Sequence, residues 1–474
     1  MRKIDKFYID GKWVAASSGE FAEVINPANE QVSGQIALGT ATDVDLAVAA
    51  ARRAFGVWSY SSRAERLELL KSILSEYSRR AEELADAVTE EMGAPRSFAG
   101  QLHVGLGTWH LQAAIKILES FSFEGWRGQT LIRHEPIGVC GLITPWNWPI
   151  NQIAVKVFPV LATGCTAILK PAQAAPYSAQ ILAEIMHSAG TPAGVFNLVQ
   201  GKGSVIGTAL SRHPDIDMIS FTGSEEVGVQ IQKDAADTIK RVGLELGGKS
   251  AWIVLDDNKL AAHVGAATTK MMSNSGQTCS AGSRLLVPSA RIDEALAAAR
   301  DAAESVTVGD PTGNVAMGPV VSKAQYEVIQ KYIARGIAEG AQLIAGGPGL
   351  PDGLSSGYYV RPTVFFGNNS MTIAREEIFG PVLTIIAYDD VDHAIAIANE
   401  STFGLSGYVS GIDQAAAIEV AKRLRTGAVQ VNGGFDITAP FGGYKRSGNG
   451  REWGEFGFHE YLEVKAIVTP SSAS

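Results

Sequence analysis

Three stretches hold side chains whose types and spacing could do chemistry. Ser275-Gly276-Gln277-Thr278-Cys279-Ser280 sets a thiol among small and polar residues in a glycine-bearing loop. A nucleophile there needs nearby backbone N–H groups to hold a negatively charged oxygen. Upstream, Glu245-Leu246-Gly247-Gly248-Lys249-Ser250 frames a carboxylate with glycines, and a carboxylate on a second such loop could act as a base. Thr144-Pro145-Trp146-Asn147-Trp148-Pro149 locks an amide between Trp and Pro residues, an arrangement that is costly unless the amide finds partners. A lone cysteine is more often an inert core residue, so the rest of the chain has to decide. Cys140 and Cys165 sit in or beside apolar, strand-like runs and read as small core residues. Three cysteines without metal-like spacing give no disulfide framework, which fits a reducing cytoplasm.

The elements that must position these loops come in two series. At 474 residues, 46% hydrophobic and 19% charged, the chain is expected to form two or three globular domains. A formal net charge of -9 argues against nucleic acid as a partner, because phosphate binding needs clustered Lys and Arg. No apolar run reaches the ~18 residues of a membrane span. The start reads as a hairpin turning at Asp10-Gly11 rather than a signal peptide. Apolar stripes at helical spacing cover 43–55, 63–92 and 102–118 and are assigned to core. Residues 119–135 read as an inserted hairpin whose apolar face needs a partner. From Gly138 strands and helices alternate, with strands near 138–144, 166–169, 197–199, 218–221 and 242–246, the pattern of a parallel, doubly wound sheet. A second α/β series begins near Ser250 and contains Cys279, so the chemical loops meet across a domain boundary, where ligand clefts lie. Tyr461 to Val468 is one more strand with no place in either sheet, and low complexity is confined to Ser471–Ser474.

Phe221-Thr222-Gly223-Ser224-Glu225 is strand, glycine turn and helix, which presents N–H groups to an anion such as a pyrophosphate. It does not match G-x-G-x-x-G, and Gly201 to Gly207 has one residue too many between its last glycines. Lys170-Pro171 ends a strand where a cation can reach ribose or phosphate. Glu377-Ile378-Phe379-Gly380-Pro381 and Pro440-Phe441-Gly442-Gly443 add two more glycine turns. Together and in this order, these motifs resemble the aldehyde dehydrogenase superfamily over nearly the whole chain.

The resemblance implies two doubly wound α/β domains plus a small β oligomerisation element. The Rossmann-like cofactor domain would comprise 1–118 and 137–246 and the catalytic domain 247–450. The hairpin 119–136 and the strand 459–474 would form a homodimer or homotetramer. It implies NAD(P)-dependent oxidation of an aldehyde to the acid, without a metal. Cys279 would attack as its thiolate, Asn147 and the Cys279 N–H would hold the oxyanion, and Glu245 would activate the water that hydrolyses a thioester. Lys156 and Glu452 would relay its protons. The implied cofactor residues are Ile143, Trp146, Lys170, Gln173, Gly203, Gly223, Ser224, Leu246, Glu377 and Phe379. Gln173 stands where relatives devoted to NAD carry glutamate, so NADP is expected beside or instead of NAD. Trp148, Asn151, Gln152, Val155, Thr278 and Ser280 would face the aldehyde, whose identity stays open. A CoA-acylating relative would lack Glu245, and a non-catalytic one would lose Cys279, Asn147 or Glu245; all three are present.

Overall fold

A computed structural model describes residues 1–470; Ser471–Ser474, the low-complexity end of the tail, lie outside the described residues. Two large sheets organise the chain. The first has eight strands in the order Gly448–Asn449, Arg241–Glu245, Met218–Thr222, Val139–Ile143, Thr166–Lys170, Phe196–Leu198, Lys6–Ile9 and Lys12–Ala15. Its five central strands run parallel, and the outer three are antiparallel. Val139–Ile143, Thr166–Lys170 and Met218–Thr222 are buried at every position, which is why they read as continuous apolar runs. The second sheet has seven strands in the order Gln342–Ala345, Thr363–Gly367, Val382–Tyr388, Arg284–Pro288, Ala251–Val254, Ser406–Ser410 and Ala428–Val431, parallel except at Gln342–Ala345. The fold is therefore α/β with two parallel-rich sheets, as the alternating pattern indicated.

Strand order places the crevice. In the first sheet Val139–Ile143 is followed in sequence by Thr166–Lys170 on one side, while Met218–Thr222 returns to its other side. That reversal opens a gap at the carboxyl ends of the strands, where open α/β sheets hold ligands. The register puts Ile143 level with Lys170 and Phe221, and Thr222 level with Glu245. The chain then crosses to the second sheet through Leu246 to Ser250.

Some elements differ from the sequence reading. The helix expected over 102–118 is a π turn, Ala99–Val104, running into the α-helix Gly105–Ser120. The helix expected from Ser204 is likewise a π turn, Gly203–Gly207, followed by Thr208–Arg212. A π turn takes one extra residue without changing the apolar stripe much, so periodicity does not reveal it. The strand that Asn26-Pro27 closes is Phe21–Asn26, but its partners Gln31–Ala37 and Arg2–Ile4, the strands Gln342–Ala345 and Thr363–Gly367, and the helices Val391–Asn399, Gln414–Lys422 and Gly454–Glu460 were not anticipated. The tail strand Leu462–Val468 pairs antiparallel with Thr130–Pro136, which in turn pairs with Glu124–Arg127. It thus belongs to a separate three-stranded sheet, outside the two large ones. Among the described residues no helix is long and apolar enough to cross a membrane.

Candidate active site

Cys279 follows the helix Leu260–Met272 in the loop that leads to Arg284–Pro288. The loop turns through Asn274 and Ser275, both at φ 54°, and Gly276 at φ 70°. Left-handed backbone costs a non-glycine residue about 1–2 kcal/mol, and the bonds around this turn supply the compensation. The Asn274 Nδ2 donates to the carbonyls of Asn147 (2.9 Å) and Gln277 (3.2 Å). Gln277 Nε2 donates back to the Asn274 carbonyl at 3.2 Å, and its Oε1 accepts from the Val321 N–H at 2.9 Å. Gly276 lies against the Gly380 backbone, where any Cβ would collide. The nucleophile loop is thereby fixed between the two halves of the chain.

Asn147 is 3% exposed and donates from Nδ2 to the Gln277 carbonyl at 3.1 Å. An amide nitrogen has two hydrogens, so one remains for a ligand. The Trp148 indole N–H donates to Thr278 Oγ1 at 3.1 Å, and Tyr408 O–H donates to the Ser280 carbonyl at 2.7 Å. Residues on both sides of Cys279 are therefore held by side chains from outside the loop. Cys279 keeps partial exposure to solvent. Burial in the cleft, then the Glu377 and Glu245 carboxylates, push its thiol up to about 12.

Glu245 ends its strand buried, and neither carboxylate oxygen has a hydrogen-bond partner. Burial first, then repulsion from Glu452, holds this carboxyl well above the usual carboxylate range, with Lys156 pulling the other way. Lys156 Nζ donates to Ser220 Oγ at 2.9 Å and is ion-paired with Glu452 Oε1. A buried carboxyl whose hold on a proton is strengthened, backed by the Lys156–Glu452 ion pair, is suited to exchanging a proton. Gly248 sits so close to the Cys279 carbonyl that a Cβ would clash. The glycine thus lets the Glu245 loop and the Cys279 loop touch.

The other sequence-predicted residues ring the crevice. Ile143 and Lys170 end adjacent strands, and Lys170 is buried with Nζ donating to the Pro171 carbonyl at 2.9 Å. Burial lowers the Lys170 ammonium to about 8. Gly223 and Ser224 lead into the helix Glu225–Ala235, whose first turn has no side-chain cap. Its unpaired N–H groups point out of the helix start. The buried hydroxyls of Thr144 and Thr222, at the ends of the two strands that flank the gap, also lack partners. Leu246 is buried behind the turn. Glu377 accepts from the Gly248 N–H at 2.9 Å, and burial raises its carboxyl to about 7. Trp146 and Phe379 meet edge to face at 5.4 Å. Gln173 lies partly exposed in the turn after Lys170, and Gly203 starts a π turn with open space around it. Among the described residues no His, Cys, Asp and Glu cluster could hold a metal ion.

Sequence reasoning missed Asn274, Tyr408 and the imidazole of His103, whose Nε2 lies 3.2 Å from Asn274 Oδ1. Asn274 stands directly before the quoted loop, and a polar residue between Ser273 and Ser275 carried no separate signal. His103 was absorbed into a helical stripe.

A model of the aldehyde dehydrogenase family matches residues 13–467. The chain is 53% identical to a 3-succinoylsemialdehyde-pyridine dehydrogenase from a Pseudomonas species, over 99% of each chain. Among solved structures it is similar to an aldehyde dehydrogenase C mutant from Pseudomonas syringae complexed with NAD+ and octanal, at TM-score 0.97 and 49% identity, covering 98% of this chain and 96% of that one. It is also similar to a Mycobacterium tuberculosis aldehyde dehydrogenase complexed with NAD+, at TM-score 0.97 and 39% identity, covering 100% and 99%.

Proposed function

This chain belongs to the aldehyde dehydrogenase family, an oxidoreductase acting on aldehydes, and from that premise we propose a hydrolytic, NAD(P)-dependent mechanism centred on Cys279. The observation that carries it is the convergence, at one junction of the two sheets, of a partly open thiol, an amide with a free N–H, and a buried carboxyl without partners.

The residues present suit a dinucleotide. An uncapped helix start after Ser224 and the buried Lys170 favour phosphate and ribose, and two orphaned threonine hydroxyls flank the gap. Glu377 would accept from ribose hydroxyls, and Trp146 with Phe379 would wall the nicotinamide end. Ile143, Gly203 and Leu246 would close the crevice around the adenosine and pyrophosphate. Relatives solved with NAD+ support NAD; Gln173 offers no charge against a 2′-phosphate, so NADP is included. When bound, the nicotinamide supplies a hydride acceptor.

The chain's own residues do the rest. Cys279 loses its proton to solvent water and its sulfur bonds to the aldehyde carbon, while the Asn147 amide and the Cys279 N–H receive the carbonyl oxygen's charge. Such a donor is worth ~2.7–4 kcal/mol in the transition state. Oxidation leaves a thioester on Cys279. Glu245, as its carboxylate, takes a proton from water, whose oxygen attacks the thioester carbon and releases the acid and the Cys279 thiolate. Lys156 and Glu452 pass the proton outward. A free carboxyl at Glu245 favours water over coenzyme A as acyl acceptor.

The test measures reduced cofactor after mixing purified protein, NAD+ and a panel of aldehydes. Cys279→Ala abolishes formation. Glu245→Gln spares acylation more than deacylation, giving a burst of NADH and then a slow steady rate. A Glu245→Gln enzyme without a burst would assign that carboxyl to deprotonating Cys279 instead.

A further inference from the structure

His103 is buried completely, on the π turn Ala99–Val104 of the first domain. Its Nε2 reaches Asn274 Oδ1 at 3.2 Å. The direction of that bond follows from its surroundings. Asn274 Nδ2 is committed to the carbonyls of Asn147 and Gln277, which can only accept. Its Oδ1 must therefore face His103, and His103 must donate. His103 Nδ1 has no partner, as expected of the unprotonated nitrogen. The ring also stacks on Trp148, centroids 4.3 Å apart and planes 21° from parallel, and the Trp148 indole holds Thr278 Oγ1. From one side chain, two arms run to the residues flanking the nucleophile. One passes through Asn274 to Asn147 and Gln277, the other through Trp148 to Thr278.

We propose that His103 is a positioning residue for the reaction centre: by donating to Asn274 Oδ1 it fixes the amide that sets Asn147 and the left-handed turn before Cys279. The proposal rests on the mechanism proposed above for Asn147 and Cys279. Without the His103 donor, the Asn274 amide can rotate, and both carbonyls that carry the cradle lose their common anchor. The Asn147 N–H then no longer meets the developing oxyanion at bonding distance.

Three variants separate the hydrogen bond from the packing. His103→Phe keeps the stacking ring and removes the donor. His103→Gln keeps a donor at similar reach. His103→Asn is polar but too short, and it replaces His103→Phe should that variant not fold. The readout is the single-turnover rate constant with enzyme in excess over aldehyde and NAD+ saturating, which a loss of correctly folded molecules would not change. We expect a fall of ~10–100-fold in His103→Phe, an unaltered KM for NAD+, and recovery in His103→Gln to within about threefold of wild type. Alkylation of Cys279 by iodoacetamide, followed by mass spectrometry, needs neither aldehyde nor cofactor. It slows at least ~threefold in His103→Phe but not in His103→Gln, because the sulfur is no longer held toward the opening. Equal single-turnover and alkylation rates in His103→Phe and wild type would overturn the proposal, as would equal impairment in His103→Phe and His103→Gln. A wild-type enzyme that reduces no cofactor would instead overturn the mechanism, while the alkylation rates would still decide the role of His103.

Discussion

At the scale of single residues, the proposed acceptance of NADP beside NAD rests on Gln173. A glutamate at this position would place a charge beside the 2′ position of the ribose. Two unit charges ~4 Å apart at an effective dielectric of ~20 repel by about 4 kcal/mol before screening. The amide removes that term, and the neighbouring Lys170 is buried and cationic. Gln173→Glu is expected to lower kcat/KM for NADP relative to NAD by at least ~10-fold, about 1.4 kcal/mol. Measured with one aldehyde under both cofactors, a ratio that stays put would remove Gln173 from the choice. At this scale the sequence was most informative where chemistry forces unusual neighbours. Asn147 between tryptophans and prolines, Glu245 before paired glycines, and Cys279 in a polar turn each stood out against an apolar background. His103 and Asn274 did not, because their role is set by a contact across 171 residues of chain.

At the scale of elements, buried histidines join helices that the sequence showed only as apolar stripes. His110, on Gly105–Ser120, lies with its Nε2 3.0 Å from Asn151 Oδ1 on Pro149–Thr163. Burial lowers this imidazole to about 3, with the Asn151 bond opposing. Its folded value is below its unfolded value of ~6.5. The stabilisation is therefore complete above pH ~6.5 and is lost as pH falls toward 3, since the unfolded chain binds the proton first. Around pH 5 the wild type should lose stability on acidification more steeply than His110→Gln, by about one proton, ~1.4 kcal/mol per pH unit. Denaturant titrations at several pH values check this, and parallel slopes would refute it. Helix and strand order were legible here because buried parallel strands are continuous apolar runs and amphipathic helices keep a 3.6 period. The π turns, the strands Gln342–Ala345 and Gly448–Asn449 and the short C-terminal helices were not, since their apolar positions serve contacts distant in sequence.

At the scale of the whole molecule, the sheet of Glu124–Arg127, Thr130–Pro136 and Leu462–Val468 leaves its two outer strands open. Leu462–Val468 pairs on one side only, and after Leu462 its residues are exposed, including Val464 at 66% and Val468 at 69%. An unpaired apolar edge is an invitation to association, so the proposed homodimer or homotetramer would form across it. Val464→Lys with Val468→Lys should shift the sedimentation of the protein toward the monomer; unchanged sedimentation would move the interface elsewhere. The pairing of Gly448–Asn449 with Arg241–Glu245 has a consequence in time. The strand that carries Glu245 cannot be completed until a segment roughly 200 residues later has been made, which at ~5–20 residues per second takes about 10–40 s. Between residues 279 and 448 the newborn chain carries the proposed nucleophile without the strand that flanks the proposed base. A chain interrupted before residue 448 lacks that pairing, so the first sheet is complete only in a molecule synthesised at least that far.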